Sequence, residues 1–334
     1  MEWRSGSRRT IDRDSQPAGT RCGASSDERL FVNRASIILF VVALAGGCSG
    51  FIEKRAASST YGILQRSNVA ARRLADVELA RDALPGGIVQ MAAFSAAYPD
   101  HRGFRELHAE ALCQFTMAFV FDDWEAASLG GRGEDARRIA KRLEGLLVTC
   151  IDLNLSLLPD AFRAAEGDPV RWKALLPSVT RDQVRFVLPI ASARAVRIVL
   201  NPLAAGMPAL DRVIETLARC AALAPGFRDA EAEILLGSLL AGRSRFFGGD
   251  NGDAQFAAAR RLLGPSAILV DVMYARNALV ARQDRAQFER LLDAALAADL
   301  SQWPERRLAN ELARVKAERY RALADSLIPP PASP

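Results

Sequence analysis

From about residue 60 onward, apolar residues recur every three to four positions, and this periodicity constrains the fold more than any other feature. Phe288, Leu291, Leu292, Ala295 and Leu296 follow the spacing i, i+3, i+4, i+7, i+8. At 3.6 residues per turn, that spacing puts all five on one helix face. Leu210, Val213, Ile214, Leu217 and Ala221 form a second stripe of the same kind. No stretch alternates apolar and polar residues as a half-buried strand would. The β-branched run around Val196–Val199 lies inside a helical pattern. Abundant Ala, Leu and Arg, with only 7% aromatics, favour helix over strand. The chain has 334 residues, 50% of them hydrophobic, enough for one large core or two small ones. The expected fold class is all-α.

Punctuation supports the helices. Thr180 with Gln183, and Asp284 with Gln287, place an oxygen acceptor at an N-cap and a glutamine three residues on. Pro208 and Pro304 stand where helices can begin, since the first turn has no N–H bond to lose. Tyr98-Pro99-Asp100, Leu158-Pro159-Asp160 and Ala224-Pro225-Gly226 each end an Ala/Leu-rich helix, and another helix soon follows. Helix, proline turn, helix is the grammar of tetratricopeptide-like arrays, here degenerate because the spacing is about 60 residues rather than 34. We therefore expect a helix-hairpin, tetratricopeptide-like superhelical bundle over residues 71–328, followed by a Pro-rich tail at 329–334. Stacks of this kind leave a concave face for binding.

Ahead of the helices, Arg34 precedes the uncharged apolar run that begins at Ala35 and ends at Ala45-Gly46-Gly47-Cys48. The run is short for a membrane span, which needs about 20 apolar residues. A basic residue, a short apolar run, small residues and a cysteine form the layout of a bacterial lipoprotein signal peptide. The expectation is that residues 1–47 are removed and Cys48 carries the lipid. Residues 48–70 would then tether the domain to the membrane. Ser49 after the cysteine fits a periplasm-facing anchor in the inner leaflet of the outer membrane. The polar leader of residues 1–33 is long for a signal peptide. Translation from Val32 through an alternative start codon would leave a conventional one.

Chemistry is mostly excluded. The 44 basic and 39 acidic residues are interspersed, as in Arg137-Arg138 beside Glu134-Asp135, which marks a solvated helix face and not a nucleic-acid stripe. His101 and His108 are the only histidines, too few for a typical catalytic zinc site. Gly131-Arg132-Gly133-Glu134-Asp135-Ala136 fits G-x-G-x-x-A, but no buried strand precedes it, so it reads as a loop before a helix. No nucleophile elbow or Walker A loop occurs. No catalytic residue, metal site or cofactor is expected. Asp122 and Asp123 are adjacent, diverge on a helix, and are expected in solvent. Cys113, Cys150 and Cys220 each sit in an apolar helical segment and read as small buried hydrophobes. One disulfide among them stays open, with no pairing assignable.

Two further motifs stand out. In Phe246-Phe247-Gly248-Gly249-Asp250 the glycines permit a sharp turn between helices. Asp250 or Asp253 would cap the helix that carries Phe256. The two phenylalanines are expected to pack into the core, with a ligand groove or subunit contact as the other reading. In Arg307-Leu308-Ala309-Asn310, the asparagine inside an Ala-rich helix is expected to bond across to a neighbouring loop or helix.

Taken together, these segments resemble the T-component family of TRAP (tripartite ATP-independent periplasmic) transporters. The resemblance runs from about Asp76 to Leu327. It rests on Asp76-Val77-Glu78-Leu79-Ala80, Tyr98-Pro99-Asp100, Ala118-Phe119-Val120 and Gly248-Gly249-Asp250. It continues in Gln283-Asp284-Arg285, Phe288 with Leu291-Leu292, and Pro304 to Asn310. It implies a non-enzymatic, lipid-anchored periplasmic protein that docks the transporter's solute-binding protein. It also implies a homotrimer whose central pore passes a small hydrophobic or organic-acid ligand. A generic lipoprotein scaffold for envelope assembly is the competing function.

Overall fold

The structure is a computed structural model that describes residues 55 and 57–330. Helices run α1 (57–71), α2 (Val77–Ala97), α3 (Arg102–Phe115), α4 (Phe121–Leu129) and α5 (Gly133–Leu155). Two short helices, α6 (Asp160–Ala164) and α7 (Pro169–Leu175), lead into α8 (Val184–Leu200), α9 (Pro202–Leu223) and α10 (Phe227–Phe247). The chain ends in α11 (Asp253–Leu263), α12 (Ile268–Tyr274), α13 (Val280–Arg282), α14 (Arg285–Ala297), α15 (Arg307–Ala322) and α16 (Ala324–Leu327). Among the described residues there is no strand, and the fold is all-α. Cys48, the whole leader of residues 1–47 and all but the first two residues of the Pro-rich tail lie outside the described residues. The stretch read as a tether is helical from residue 57, and it packs: Ala57 and Leu64 join Met91, Phe104 and Leu107 in a small cluster.

Chain neighbours pack on one another, α2 on α3, α4 on α5, α8 on α9, α9 on α10, α10 on α11, and α14 on α15. These contacts are consistent with a helix-hairpin array, and further packing of α5 on α3 and α8, and of α12 on α15, ties the hairpins together. The cap signals behave as their chemistry requires. Thr180 and Gln183 form a reciprocal capping box, and Asp284 Oδ1 accepts from the Gln287 N–H at 3.1 Å. Gly206, at φ 68°, breaks α9 just before Pro208. Gly237 and Gly252 let α10 and α11 approach closely, since a Cβ on Gly237 would lie 2.8 Å from the Phe256 ring.

Two cores form. The first surrounds α5, α8 and α9, with Leu143, Leu147, Trp172, Leu188 and Leu217 fully buried. The second joins α10 to α16 around Phe256, Phe288, Leu292 and Tyr320. Both helical stripes read from the sequence face these cores: Val213 and Leu217 are buried in the first, Phe288, Leu292 and Ala295 in the second. Cys113 and Cys150 do not act as independent small hydrophobes. They form a disulfide between α3 and α5, and Asn154 Nδ2 donates to Cys113 Sγ at 3.2 Å. Cys220 stays free and buried, and burial is the main cause that pushes its thiol up to about 12.

Candidate functional site

Two π-helical turns mark the polar centre of the domain. Thr116–Val120 joins α3 to α4, and Ala275–Leu279 joins α12 to α13. Single π turns within α-helices recur at functional sites because they re-aim the side chains beyond them. Just past the first turn, Asp122 and Glu125 share one face of α4. They meet Lys316 and Arg319, which share a face of α15. Arg319 Nη2 donates to Asp122 Oδ2 at 2.5 Å, Lys316 Nζ binds Asp122 Oδ1, and both cations reach Glu125 at 3.3 Å. Tyr320 donates its hydroxyl to Glu125 at 2.7 Å, and Arg276 from the second π turn lies 3.8 Å from the same carboxylate.

The cluster corrects the expectation that the Asp122-Asp123 pair points into solvent. Asp122 is only 4% exposed, because a helix turns adjacent residues apart and here turns one of them inward. Asp123 remains partly exposed and accepts from Arg81 at 2.7 Å. Burial, the largest single influence on Asp122, raises its pKa. Hydrogen bonds from Arg319 and Lys316 and their charges outweigh it and hold the carboxyl below its usual range. Burial, then the charge of Glu125, pushes Tyr320 well above the ordinary tyrosine value. The sequence signal was present: acids at i, i+3 in one helix match cations at i, i+3 in another. The arrangement locks α4 to α15.

A strained corner follows the Ala224-Pro225-Gly226 turn. Arg228, Asp229 and Ala230 adopt φ of 49°, 56° and 57°, a left-handed turn that L-residues avoid at about 1–2 kcal/mol each. Ion pairs hold it, Arg228 to Glu110 at 3.6 Å and Asp229 to Arg306 at 2.7 Å. The buried Glu233 accepts from the Gly226 N–H at 3.0 Å. Asn310 behaves as expected, donating to the Ser266 carbonyl at 3.0 Å. Arg307 pairs along its own helix with Glu311 at 2.7 Å.

The aromatic motif is the main surprise. Phe246 and Phe247 are 77% and 70% exposed, so the expected core packing fails. The reason is local. Gly248 and Gly249 take φ of 72° and 87° and end α10, leaving the last two side chains beyond the partner helices. The two rings lie 6.5 Å apart, with the Arg245 guanidinium 5.8 Å from Phe246. Arg243 pairs with Asp211 at 3.6 Å. One helical turn beyond this pair, α9 presents Met207, 42% exposed, at the same end as the phenylalanines. Neither acid caps α11 as expected. Gly252 takes the N-cap position, Asp250 accepts from its N–H at 2.9 Å, and Asp253 pairs with Arg282. Arg307 and Asn310 find their partners in α15 and the 264–266 turn, not at this corner.

A surface cleft of about 320 Å³ is lined by Asp123, Ala126, Arg132, Arg138, Ile139 and Arg142. It adjoins the Gly131–Gly133 loop, which leads from α4 into α5 and has a helix, not a strand, before it. Among the described residues no group of His, Cys, Asp and Glu could hold a metal, and no helix is long and apolar enough to cross a membrane.

A comparison with curated proteins gives no match. The family model for the TRAP transporter T-component matches residues 74–327, spanning both π turns, the strained corner and the aromatic end of α10. With three quarters of its length inside that match, the chain belongs to the TRAP transporter T-component family, and so to the accessory components of TRAP transport.

Proposed function

We propose that this protein is a lipid-anchored, periplasm-facing accessory that docks the solute-binding protein of a TRAP transporter, with Phe246 and Phe247 at the centre of the docking face. The carrying observation is the exposed aromatic pair in a chain of this family. Exposed adjacent aromatics are costly to leave in water, and aromatic residues, phenylalanine among them, are enriched in the cores of interfaces. The anchor is Cys48, in the inner leaflet of the outer membrane. The Cys113–Cys150 disulfide supports export, since such bonds persist in oxidising compartments. The functional unit is a homotrimer whose central pore hands on a small hydrophobic or organic-acid ligand.

The test is binding between the full-length protein and the solute-binding protein encoded beside its TRAP permease, measured by biolayer interferometry. A Phe246→Ala/Phe247→Ala double variant should weaken binding at least ~10-fold, about 1.4 kcal/mol, without lowering the melting temperature. Unchanged affinity would remove the aromatic pair from the docking face. Failure of the wild type to bind would return the chain to the scaffold reading.

A further inference from the structure

At the first core, a buried arginine and a mostly covered one carry N–H groups with no partner. Trp172 of α7 is fully buried, and its indole N–H donates to Thr216 Oγ1 at 3.0 Å. Arg194 of α8, 5% exposed, lays its guanidinium 3.9 Å from the centre of the Trp172 ring. Arg212 of α9 approaches the same ring at 5.6 Å. Between them, in the turn before α7, stands Glu166. Its carboxylate pairs with Arg194 Nη2 and lies 4.0 Å from Arg212 Nη2, while its carbonyl accepts from Arg212 Nη1 at 2.7 Å.

That leaves Arg194 Nε and Nη1 and Arg212 Nε buried without a partner. Buried N–H groups are nearly always paired, so three orphans in one place call for an acceptor. The charges agree. Two guanidinium groups face one carboxylate, and the nearby Arg197 is already matched by Glu144 at 2.8 Å. One positive charge is therefore unbalanced. Burial is the main cause that lowers both arginines, Arg194 to about 10, and both stay protonated at neutral pH.

We propose that Arg194 and Arg212 form a binding site for a carboxylate, set against Trp172 and guarded by Glu166. The planar guanidinium fork matches a carboxylate in two-point contact. A single carboxylate restores neutrality, whereas a phosphate dianion would overshoot it. Entry is at Glu166, whose side chain is 32% exposed. The adjoining Gly167 is exposed, so this turn faces solvent. The site rests on the accessory reading only for the source of its ligand, and the binding step needs no partner protein.

The experiment titrates the full-length protein with acetate and with benzoate, reading tryptophan fluorescence, with chloride and inorganic phosphate as separate arms. A saturable change with the carboxylates, lost in Trp172→Phe, is the expected result. Arg212→Lys keeps the charge but loses the fork, and should weaken binding at least ~10-fold. Glu166→Gln removes the resident negative charge and should tighten it. A rise in wild-type melting temperature with benzoate gives the same answer without any variant. No saturable response, an equal response to chloride or phosphate, or no effect of Glu166→Gln would overturn the site. Each of these outcomes leaves the partner-docking measurement unaffected, so the two readings fail separately.

Discussion

Asp122 shows how one side chain can matter more than its neighbour of identical type. It is buried against Lys316 and Arg319, while Asp123 reaches out to Arg81. Removing one partner from a buried ion cluster leaves the others uncompensated, at a cost of about 3–5 kcal/mol. Asp122→Asn should therefore lower stability by that order in denaturant titration. The pH dependence follows from the direction of the shift. The folded-state pKa lies below the ordinary 3.8, so the stabilisation is fully present above 3.8. It is lost as pH falls through the lower folded value, and Asp122→Asn should abolish that part of the acid sensitivity. Legibility differed just as sharply between side chains. Asn310 was readable because a lone amide in an apolar helix has to find a partner across it. Phe246 and Phe247 were misread because hydrophobicity predicts burial only where a neighbouring helix extends far enough to cover the residue.

At the level of elements, the helices and their caps were legible because periodicity and capping chemistry are local. What joins the elements was not, since it depends on distances between segments far apart in sequence. The Cys113–Cys150 bond is the clearest case. Three cysteines in apolar helices gave no basis for a pairing, and only the packing of α3 on α5 brings two of them to a Cα separation of 5.4 Å. The left-handed turn at Arg228–Ala230 was equally hidden, because only Asp229 of the three is a residue type that tolerates positive φ, and Arg228 and Ala230 on either side of it are not. Its stability comes from Glu110 and Arg306, which lie in other parts of the fold. The disulfide yields a quantitative expectation. It closes a loop with a sequence separation of 37 residues. On the chain-entropy model such a loop contributes about 4 kcal/mol. A Cys113→Ser/Cys150→Ser variant should lose about that much, read as a lower urea midpoint, and reductant should have the same effect on the wild type. An unchanged midpoint would mean that the two thiols are not bonded in the folded protein.

For the whole molecule, apolar surface left over is as informative as the cores. Phe246, Phe247 and Met207 collect at one end of the α9–α10 hairpin, and Val89 and Val170 are 70% and 78% exposed elsewhere. A stable interface typically buries about 1,200–2,000 Å² in total, and each square ångström of apolar surface removed from water contributes about 25 cal/mol. Association with copies of itself or with a partner would hide the clustered residues, while single exposed valines are ordinary surface. The homotrimer proposed here requires the association to be closed, so each protomer must offer two different, complementary patches, as any ring does. A monomer whose apolar face serves only the solute-binding protein requires one patch. Light scattering of the full-length protein at micromolar concentration separates these architectures. The pore model expects three chain masses, unchanged on moderate dilution. A single chain mass would remove the pore while leaving the aromatic docking face intact, because that face needs only one exposed patch to hold a partner.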